Sequence, residues 1–175
     1  MALVRIPEDI YSSELPASKG DRILLLEHVQ DPGNIGTLIR SAAALEYSGV
    51  ILSDQCADPF SQKVAQSSAG SLFSLWLRRS VDYLDMAISL KQQGYAILAA
   101  DLSGSEKIDF ADYPLHVIAF GNEGSGLTAE LIRNSTAGFK IPINQDNAES
   151  LNVAVSGAIG MFCGRMGIGW NGIRQ

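Results

Sequence analysis

The sequence has few cysteines and no long apolar run. Its 175 residues include two cysteines, Cys56 and Cys163, which lie far apart and have no CxxC motif or histidine partner. This spacing argues against a structural zinc or other metal site and fits a reduced, cytoplasmic setting. No stretch of about 20 apolar residues is present, so the sequence predicts no membrane span. The first residues also lack the apolar run of a secretory signal.

Basic residues are scarce as well. The chain has 13 Lys and Arg against 19 Asp and Glu, which gives a net charge of −6 and a pI near 4.8. Nucleic-acid-binding surfaces usually carry clustered Lys and Arg, and here Arg78-Arg79 is the only adjacent basic pair. Composition alone therefore does not indicate a nucleic-acid partner, although the net charge does not exclude a local basic cleft.

Short apolar runs alternate with segments of helical periodicity. The runs predict strands at 23–26, 49–52, 95–100, 117–120 and 139–143. The periodic segments predict helices at 35–47, 60–69, 81–93, 127–134 and 149–165. Continuous apolar strands between helices are typical of a mostly parallel sheet with helices on both faces. We therefore predict a Rossmann-like α/β domain over residues 21–166, with an arm or linker at 1–20 and a frayed or partner-packed tail at 167–175.

Three polar segments follow strands of this predicted sheet, at residues 31–40, 121–126 and 142–152. All three are rich in Gly, Asn, Ser and charged residues. Ligands of such sheets bind beyond the carboxyl ends of the strands, so we expect these segments to form the functional site.

The first two segments each have a structural and a functional interpretation. Asn34 can be the N-cap of a helix that carries a solvated Arg40, or Arg40 can lean over the sheet edge and clamp a phosphate. The loop Gly121–Gly126 has GxxGxG spacing, which is not the GxGxxG dinucleotide fingerprint. Its glycines indicate either a tight turn or a close approach of the backbone to a ligand. The Glu123 carboxylate suits an ammonium, a sulfonium or a hydroxyl better than a phosphate.

The third segment is also open to two interpretations. It can be a simple polar loop before a helix that is capped near Asn147 or Ala148. However, Ser150 and Asn152 are poor helix formers at a predicted helix start, where apolar residues would serve as well. These two side chains are therefore candidates for a functional role.

Taken together, the segments DPGNIGTLIRSA, FGNEGSGL, and IPI followed by ESLNVAVS resemble the three signature motifs of the SpoU (TrmH-like) branch of the SPOUT methyltransferases. The resemblance extends in the same order from residue 24 to residue 162. It implies a SPOUT fold with a C-terminal trefoil knot, and a homodimer whose active sites are completed at the interface. It also implies S-adenosyl-L-methionine as cofactor and the ribose 2′-hydroxyl of structured rRNA or tRNA as methyl acceptor.

The resemblance also assigns roles to individual residues. The catalytic set that it implies is Asn34, Arg40, Glu123, Ser150 and Asn152. The cofactor-binding set is Ala99, Ala100, Gly121, Asn122, Gly124, Ile141, Pro142 and Leu151. Arginine is often cast as the base in this family, but it holds its proton tightly, so we expect Arg40 to stabilise charge and orient phosphate. Two other functions stay open: a catalytically idle RNA-binding or assembly module of the same fold, and an ordinary nucleotide-binding α/β enzyme.

Overall fold

The computed structural model describes residues 6–144 and 146–170. The strands in this part of the chain are β1 (Arg22–Leu26), β2 (Gly49–Ser53), β3 (Trp76–Ser80), β4 (Ala96–Ser105), β5 (His116–Phe120) and β6 (Ala137–Phe139). The α-helices are α1 (Pro32–Ala44), α2 (Gln62–Ser67), α3 (Tyr83–Gln92), α4 (Ala129–Asn134) and α5 (Val153–Met166). Short 3-10 helices span Glu8–Tyr11, Ser71–Phe73 and Phe110–Asp112.

The strands form one sheet in the order β3-β2-β1-β5-β4-β6, and neighbouring strands are parallel. Strand β1 pairs with β5 in a register that runs from Arg22 opposite His116 to Leu26 opposite Phe120. The chain leaves β1 toward β2 on one side and leaves β5 toward β6 on the other. The crevice between β1 and β5 is therefore the topological switch point, where ligands of open α/β sheets bind.

Helices cover both faces of the sheet. Leu24 and Leu26 of β1 pack in a core that includes residues of α1 and α5, whereas Ile23 and Leu25 pack in a second core with residues of α3 and α4. Both sides of β1 are thus buried, which explains its unbroken apolar sequence. The predicted mostly parallel sheet with helices on both faces is confirmed.

Helix α5 lies very close to its neighbours because it presents glycines to them. A Cβ atom on Gly157 would stand 2.1 Å from Leu38 Cδ2, and one on Gly160 would stand 2.9 Å from Phe120 Cζ. The small residues of this segment are therefore required by packing inside the domain. The trefoil knot implied for the C-terminal part of the sheet stays a prediction.

The segment before β1, which was predicted to be an arm or linker, is packed against the sheet. Ile10 is buried in the core, and the Asp9 carboxylate pairs with the Arg78 guanidinium at 2.8 Å. Arg78 Nε also donates a hydrogen bond to the Glu14 carbonyl at 2.7 Å. Residues 6–20 therefore cover edge strand β3, which would otherwise expose unpaired backbone groups. Residues 1–5 lie outside the described residues.

The start of the predicted tail is also packed. Gly167, with φ of 60°, ends α5, and Trp170 contacts the rings of Phe110 and Phe139. Fraying is therefore the wrong prediction for residues 167–170, while residues 171–175 lie outside the described range.

Several element boundaries differ from those predicted, and three of them lie at the polar segments. Strand β6 ends at Phe139, before the predicted run is complete, and helix α5 begins at Val153 and not near residue 149. Helix α1 begins at Pro32, because Asp31 is its N-cap in place of Asn34. Within the described chain, no helix is long and apolar enough to cross a membrane.

Candidate functional site

A cavity of about 600 Å³ opens beside the second half of β4 and beyond the carboxyl ends of β5 and β6. Its wall includes Ala100 and Asp101, the Gly121–Gly124 stretch, Lys140 and Ile141, and residues 149–153. All three polar segments identified in the sequence thus reach the same edge of the sheet. Two of them, the glycine loop and the segment before α5, form much of the cavity wall.

The glycine loop is closed on itself. Asn122 and Gly126 exchange two backbone hydrogen bonds of 3.0 and 2.9 Å, and Gly126 has φ of +70°. A Cβ atom on Gly121 would stand 2.2 Å from the backbone carbon of Gly126. Glycine is therefore required at both positions, at one for close backbone approach and at the other for a left-handed conformation.

The Asn122 side chain stabilises this loop and joins it to β1. Its Oδ1 accepts hydrogen bonds from the amides of Gly124 and Ser125 at 2.9 and 3.1 Å. Its Nδ2 donates to the His28 carbonyl at 2.9 Å. The backbone of the loop is thus fixed across the switch point.

Asn152 links helix α5 to helix α1. Its Oδ1 accepts from the amides of Ala154 and Val155 and so caps α5, which is the local reason why the helix starts here. Its Nδ2 donates to Asn34 Oδ1 at 3.1 Å. The poor helix former noted in the sequence is therefore both an N-cap and a contact between two motifs.

Glu123 completes a chain of side chains at the site. Asn34 Nδ2 donates to Glu123 Oε1 at 3.0 Å, and the Gln30 and Asp31 amides make longer contacts of 3.5 and 3.4 Å with the same carboxylate. Partial burial acts to raise the pKa of Glu123, but the hydrogen bonds from Asn34 and from loop amides outweigh it and lower the pKa. Glu123 is therefore held as a carboxylate that fixes the orientation of the Asn34 amide.

The start of α1 is fixed by contacts other than the Glu123–Asn34–Asn152 hydrogen bonds. Asp31 Oδ1 accepts from the Asn34 amide at 2.9 Å, and Lys63 Nζ lies 3.6 Å from Asp31 Oδ2. The backbone hydrogen bond and the lysine lower the pKa of Asp31, against a smaller opposing effect of desolvation. With Pro32 at the first helical position, this cap holds Asn34 on the first turn of α1.

Arg40 lies apart from this cluster. It is exposed on α1 and does not line the cavity, and its side chain makes no hydrogen bond or ion pair with the residues at 6–144 and 146–170. Glu123 is hydrogen-bonded to Asn34 and makes no hydrogen bond or ion pair with Arg40. Arg40 is therefore available to a molecule that docks over the sheet edge.

The structure places most of the other predicted residues in the cavity wall. The wall contains Ala100, Gly121, Asn122, Gly124, Ile141, Ser150 and Leu151. Ala99 is fully buried in the core, and neither it nor Pro142 lines the cavity.

The cavity wall contains two carboxylates that were not among the predicted site residues, Asp101 and Glu149. Asp101 directly follows the apolar run of β4, and this position after a predicted strand was a usable signal. Glu149 lay in the third polar segment, but it was assigned no role because it stood at the start of a predicted helix.

Together the fold and the cavity define an α/β domain with a candidate ligand site at the carboxyl edge of its sheet, beside the topological switch point. The chain belongs to the SpoU rRNA Methylase family, whose model matches residues 21–162. This match includes the three polar segments and confirms the resemblance.

Curated relatives have consistent names. The chain is 37% identical over 141 residues to the 23S rRNA (guanosine(2553)-2′-O)-methyltransferase RlmP of Bacillus subtilis, over 79% of this chain and 55% of that protein. It is 34% identical to an uncharacterized tRNA/rRNA methyltransferase of Synechocystis, over 79% of this chain and 51% of that protein. The chain thus spans about half the length of these relatives.

Solved structures show the same fold. An AdoMet-bound rRNA methyltransferase from Sinorhizobium meliloti matches with a TM-score of 0.75 and 34% identity, over 87% of this chain and 58% of that one. The SpoU methyltransferase AviRb from Streptomyces viridochromogenes, in complex with AdoMet, matches with a TM-score of 0.78 and 28% identity, over 92% and 62% of the two chains.

Proposed function

We propose that this protein transfers a methyl group from S-adenosylmethionine to a ribose 2′-hydroxyl of structured RNA. The observation that carries the proposal is the hydrogen-bonded chain Glu123–Asn34–Asn152, which joins all three motifs beside the cavity. The names of the relatives support both the reaction and an RNA substrate. RNA of the ribosome or transfer RNA also agrees with the cytoplasmic location expected from the sequence.

The cavity suits the proposed cofactor. Its volume of about 600 Å³ lies in the range of small-molecule sites. The wall contains the carboxylates of Asp101, Glu123 and Glu149, whereas its Lys140 ammonium is paired with Glu106 at 3.0 Å. Such a wall favours a ligand with a sulfonium and an ammonium over the phosphates of NAD or ATP, which weakens the alternative of an ordinary nucleotide-binding enzyme.

In the proposed reaction, the cofactor and individual residues have separate roles. When bound, S-adenosylmethionine supplies a methyl group on a positively charged sulfur. Ser150 and Asn152 border the space where the acceptor oxygen must approach. Arg40, which is exposed and has no side-chain partner within the described part of the chain, orients the substrate phosphate and stabilises the negative charge that develops on the ribose oxygen. Positioning supplies most of the rate gain, because the displacement requires an in-line approach.

A homodimer is part of the proposal, with each active site completed at the interface. Helix α5 buries one face in the core, yet Val155, Ile159, Phe162 and Met166 form a second apolar stripe at spacings of four, three and four. A helix that is apolar on both faces is usually covered on both. Since α1 and α5 pack together, a second copy seated on this stripe would contact the helix that packs on α1, the helix that carries Arg40.

The stripe can be tested by sedimentation velocity. We expect Phe162→Lys to convert the dimer to a monomer, while Val81→Lys, at an apolar residue that is 68% exposed elsewhere, leaves the dimer intact. A dimer that survives Phe162→Lys would place the interface on another surface.

The enzyme proposal is tested by calorimetric titration with S-adenosylmethionine and S-adenosylhomocysteine, followed by methyl transfer. Unmodified transcripts of 23S rRNA and of tRNA serve as acceptors, and resistance of the product to alkaline cleavage identifies the 2′-O-methyl group. Micromolar binding with methyl transfer supports the proposal. A folded protein that binds neither compound would favour the idle module.

A further inference from the structure

A buried carboxylate lies at the end of β1, next to the proposed site. Glu27 has no exposed surface, and its oxygens accept hydrogen bonds from Tyr83 Oη at 2.7 Å and from Thr128 N and Oγ1 at 2.6 and 2.8 Å. No Lys or Arg among the described residues pairs with it. Burying a carboxylate without a cation is costly, so this position requires a reason beyond filling space.

The partners of Glu27 place it at the exit of the glycine loop. Thr128 lies two residues after the end of the loop and is the N-cap of α4. Backbone groups of Glu27 and of the next residue, His28, form hydrogen bonds with the entrance of the same loop. The Glu27 amide donates to the Phe120 carbonyl at 2.9 Å, and the His28 carbonyl accepts from Asn122 at 2.9 Å.

The backbone of His28 indicates that this junction is under constraint. His28 has φ of 57°, a left-handed conformation that is unfavourable for a residue other than glycine and persists only where the surroundings enforce it. Its amide donates to Ser53 Oγ at 2.9 Å, which ties the junction to the end of β2. Residues 27 and 28 therefore connect three loops at the carboxyl edge of the sheet.

We propose that Glu27 is a positioning residue for methyl transfer, which acts by fixing the exit of the glycine loop so that Glu123 reaches Asn34. The inference rests on the proposed function. Asn34 and Glu123 belong to two different loops, and their 3.0 Å hydrogen bond depends on the distance between those loops. The Glu27 side chain sets that distance, since it belongs to the β1 edge and bonds the end of the glycine loop.

A carboxylate is the group that this position requires. The three hydrogen bonds come from three donors, and a carboxylate offers two oxygens that only accept. Two of the donors are hydroxyls, so a glutamine could place its amide group against them and its oxygen against the Thr128 amide. It would then replace three charge-assisted hydrogen bonds with weaker neutral ones, with little change in volume. Glu27→Gln therefore isolates the acceptor chemistry from packing.

The first readout is independent of catalysis. The Gly126 amide donates to the Asn122 carbonyl at 2.9 Å within the loop. In Glu27→Gln we expect this amide to exchange with deuterium about tenfold faster, because the loop opens more often. Tyr47→Phe is the control, since it removes a buried 2.8 Å hydrogen bond to His116 at the far end of the sheet. We expect it to lower the melting temperature without changing exchange at Gly126.

The second readout is single-turnover methyl transfer to the transcripts named above, at saturating S-adenosylmethionine. We expect Glu27→Gln to lower the rate about tenfold or more in the wild-type background. In an Asn34→Ala background the same substitution should lower the rate less than about twofold, because Glu27 acts through Asn34 and the two effects are not additive. Tyr47→Phe should leave the rate unchanged. If Glu27→Gln does not fold, Tyr83→Phe removes one of the three donors and should give the same pattern with a smaller effect.

The outcomes separate the two proposals. Unchanged Gly126 exchange, or a rate loss that is as large in the Asn34→Ala background, overturns the role of Glu27 while the proposed function stands. A wild-type protein that neither binds the cofactor nor transfers a methyl group overturns the proposed function itself.

Discussion

A cluster of polar side chains lies at each end of the sheet. At the carboxyl end, Asn34 and Asn152 meet Glu123 in reach of solvent. At the amino end, Tyr47 and His116 are almost fully buried and share a hydrogen bond of 2.8 Å. The first cluster leaves polar groups accessible to a ligand, whereas the second satisfies them internally. Helix α5 touches both clusters, through its N-cap at one end and through Gly164 at the other.

The inner cluster has a defined protonation state. His116 Nδ1 lies 2.8 Å from the Tyr113 carbonyl, which can only accept, so Nδ1 carries the proton and Nε2 accepts from Tyr47. Burial lowers the pKa of His116, with Arg22 adding to the effect and the Tyr113 carbonyl opposing it. The fold therefore buries and satisfies the polar groups at the amino end of its sheet, and it leaves those at the carboxyl end accessible for chemistry.

The strongest test of this division is Arg40→Ala. Arg40 has no partner among the described residues, so its loss should leave the free energy of unfolding unchanged. Methyl transfer should fall about a hundredfold or more, because charge stabilisation is lost, while affinity for S-adenosylhomocysteine stays within about twofold of wild type. Arg133→Ala, at another exposed arginine, is the control. Loss of cofactor binding together with activity would mean that Arg40 has a structural role.

A second test acts on the wall of the cavity. In Gly121→Ala the added Cβ would collide with the Gly126 backbone, 2.2 Å away, and displace the loop. We expect affinity for S-adenosylhomocysteine to fall about 10- to 200-fold by calorimetry. Gly138→Ala is a suitable comparison, since its nearest contact would be an ordinary 3.6 Å. Equal affinities for the two variants would show that the cofactor does not use this loop.

The amino end should respond in stability alone. A Cβ on Gly164 would stand 2.5 Å from the Tyr47 hydroxyl and 2.8 Å from His116 Nε2. Gly164→Ala should therefore lower the free energy of unfolding in urea by about 1–3 kcal/mol. Cofactor affinity of the folded fraction should not change. A loss of affinity would show that the two ends are coupled through α5.

The smallest expected effect is a pH dependence of stability. Because the pKa of His116 is lower in the folded chain than its ordinary value of 6.5, unfolding binds protons below that pH. The contribution of His116 is fully present above about pH 6.5 and is lost as the pH falls through the folded-state pKa. Urea denaturation between pH 8 and pH 5 should show this decline. It should flatten in His116→Gln, and an unaltered slope there would assign the decline to other groups.

The sequence predicted those features that depend on local pattern. Strands such as β1 and β5 are unbroken apolar runs because both of their faces are buried, so composition reveals them directly. The three polar segments were found for the same reason, since each interrupts such a pattern at a strand end. The catalytic and cofactor-binding roles of individual residues came from the family resemblance, because composition and periodicity carry no such information.

Other features depend on residues that are distant in the chain. Arg78 lies inside β3, where a charge argues against a buried strand, and its partner Asp9 comes from the segment before the domain. Glu149 and Ser150 read as the start of α5, but the Asn152 side chain caps the helix later. Trp170 looked like part of a frayed tail, although its ring packs on Phe110 and Phe139. Only the tertiary structure decides these cases.

The glycines of α5 have a consequence for the order of folding. Each of Gly157, Gly160 and Gly164 makes an isolated helix less stable by about 1 kcal/mol relative to alanine, yet each is required for the close contacts of the docked helix. We therefore expect α5 to become helical only when it docks on an already formed sheet, so that variants in it show φ-values near zero. Since Asn152 caps this helix, the proposed site would come into existence at the last step of folding.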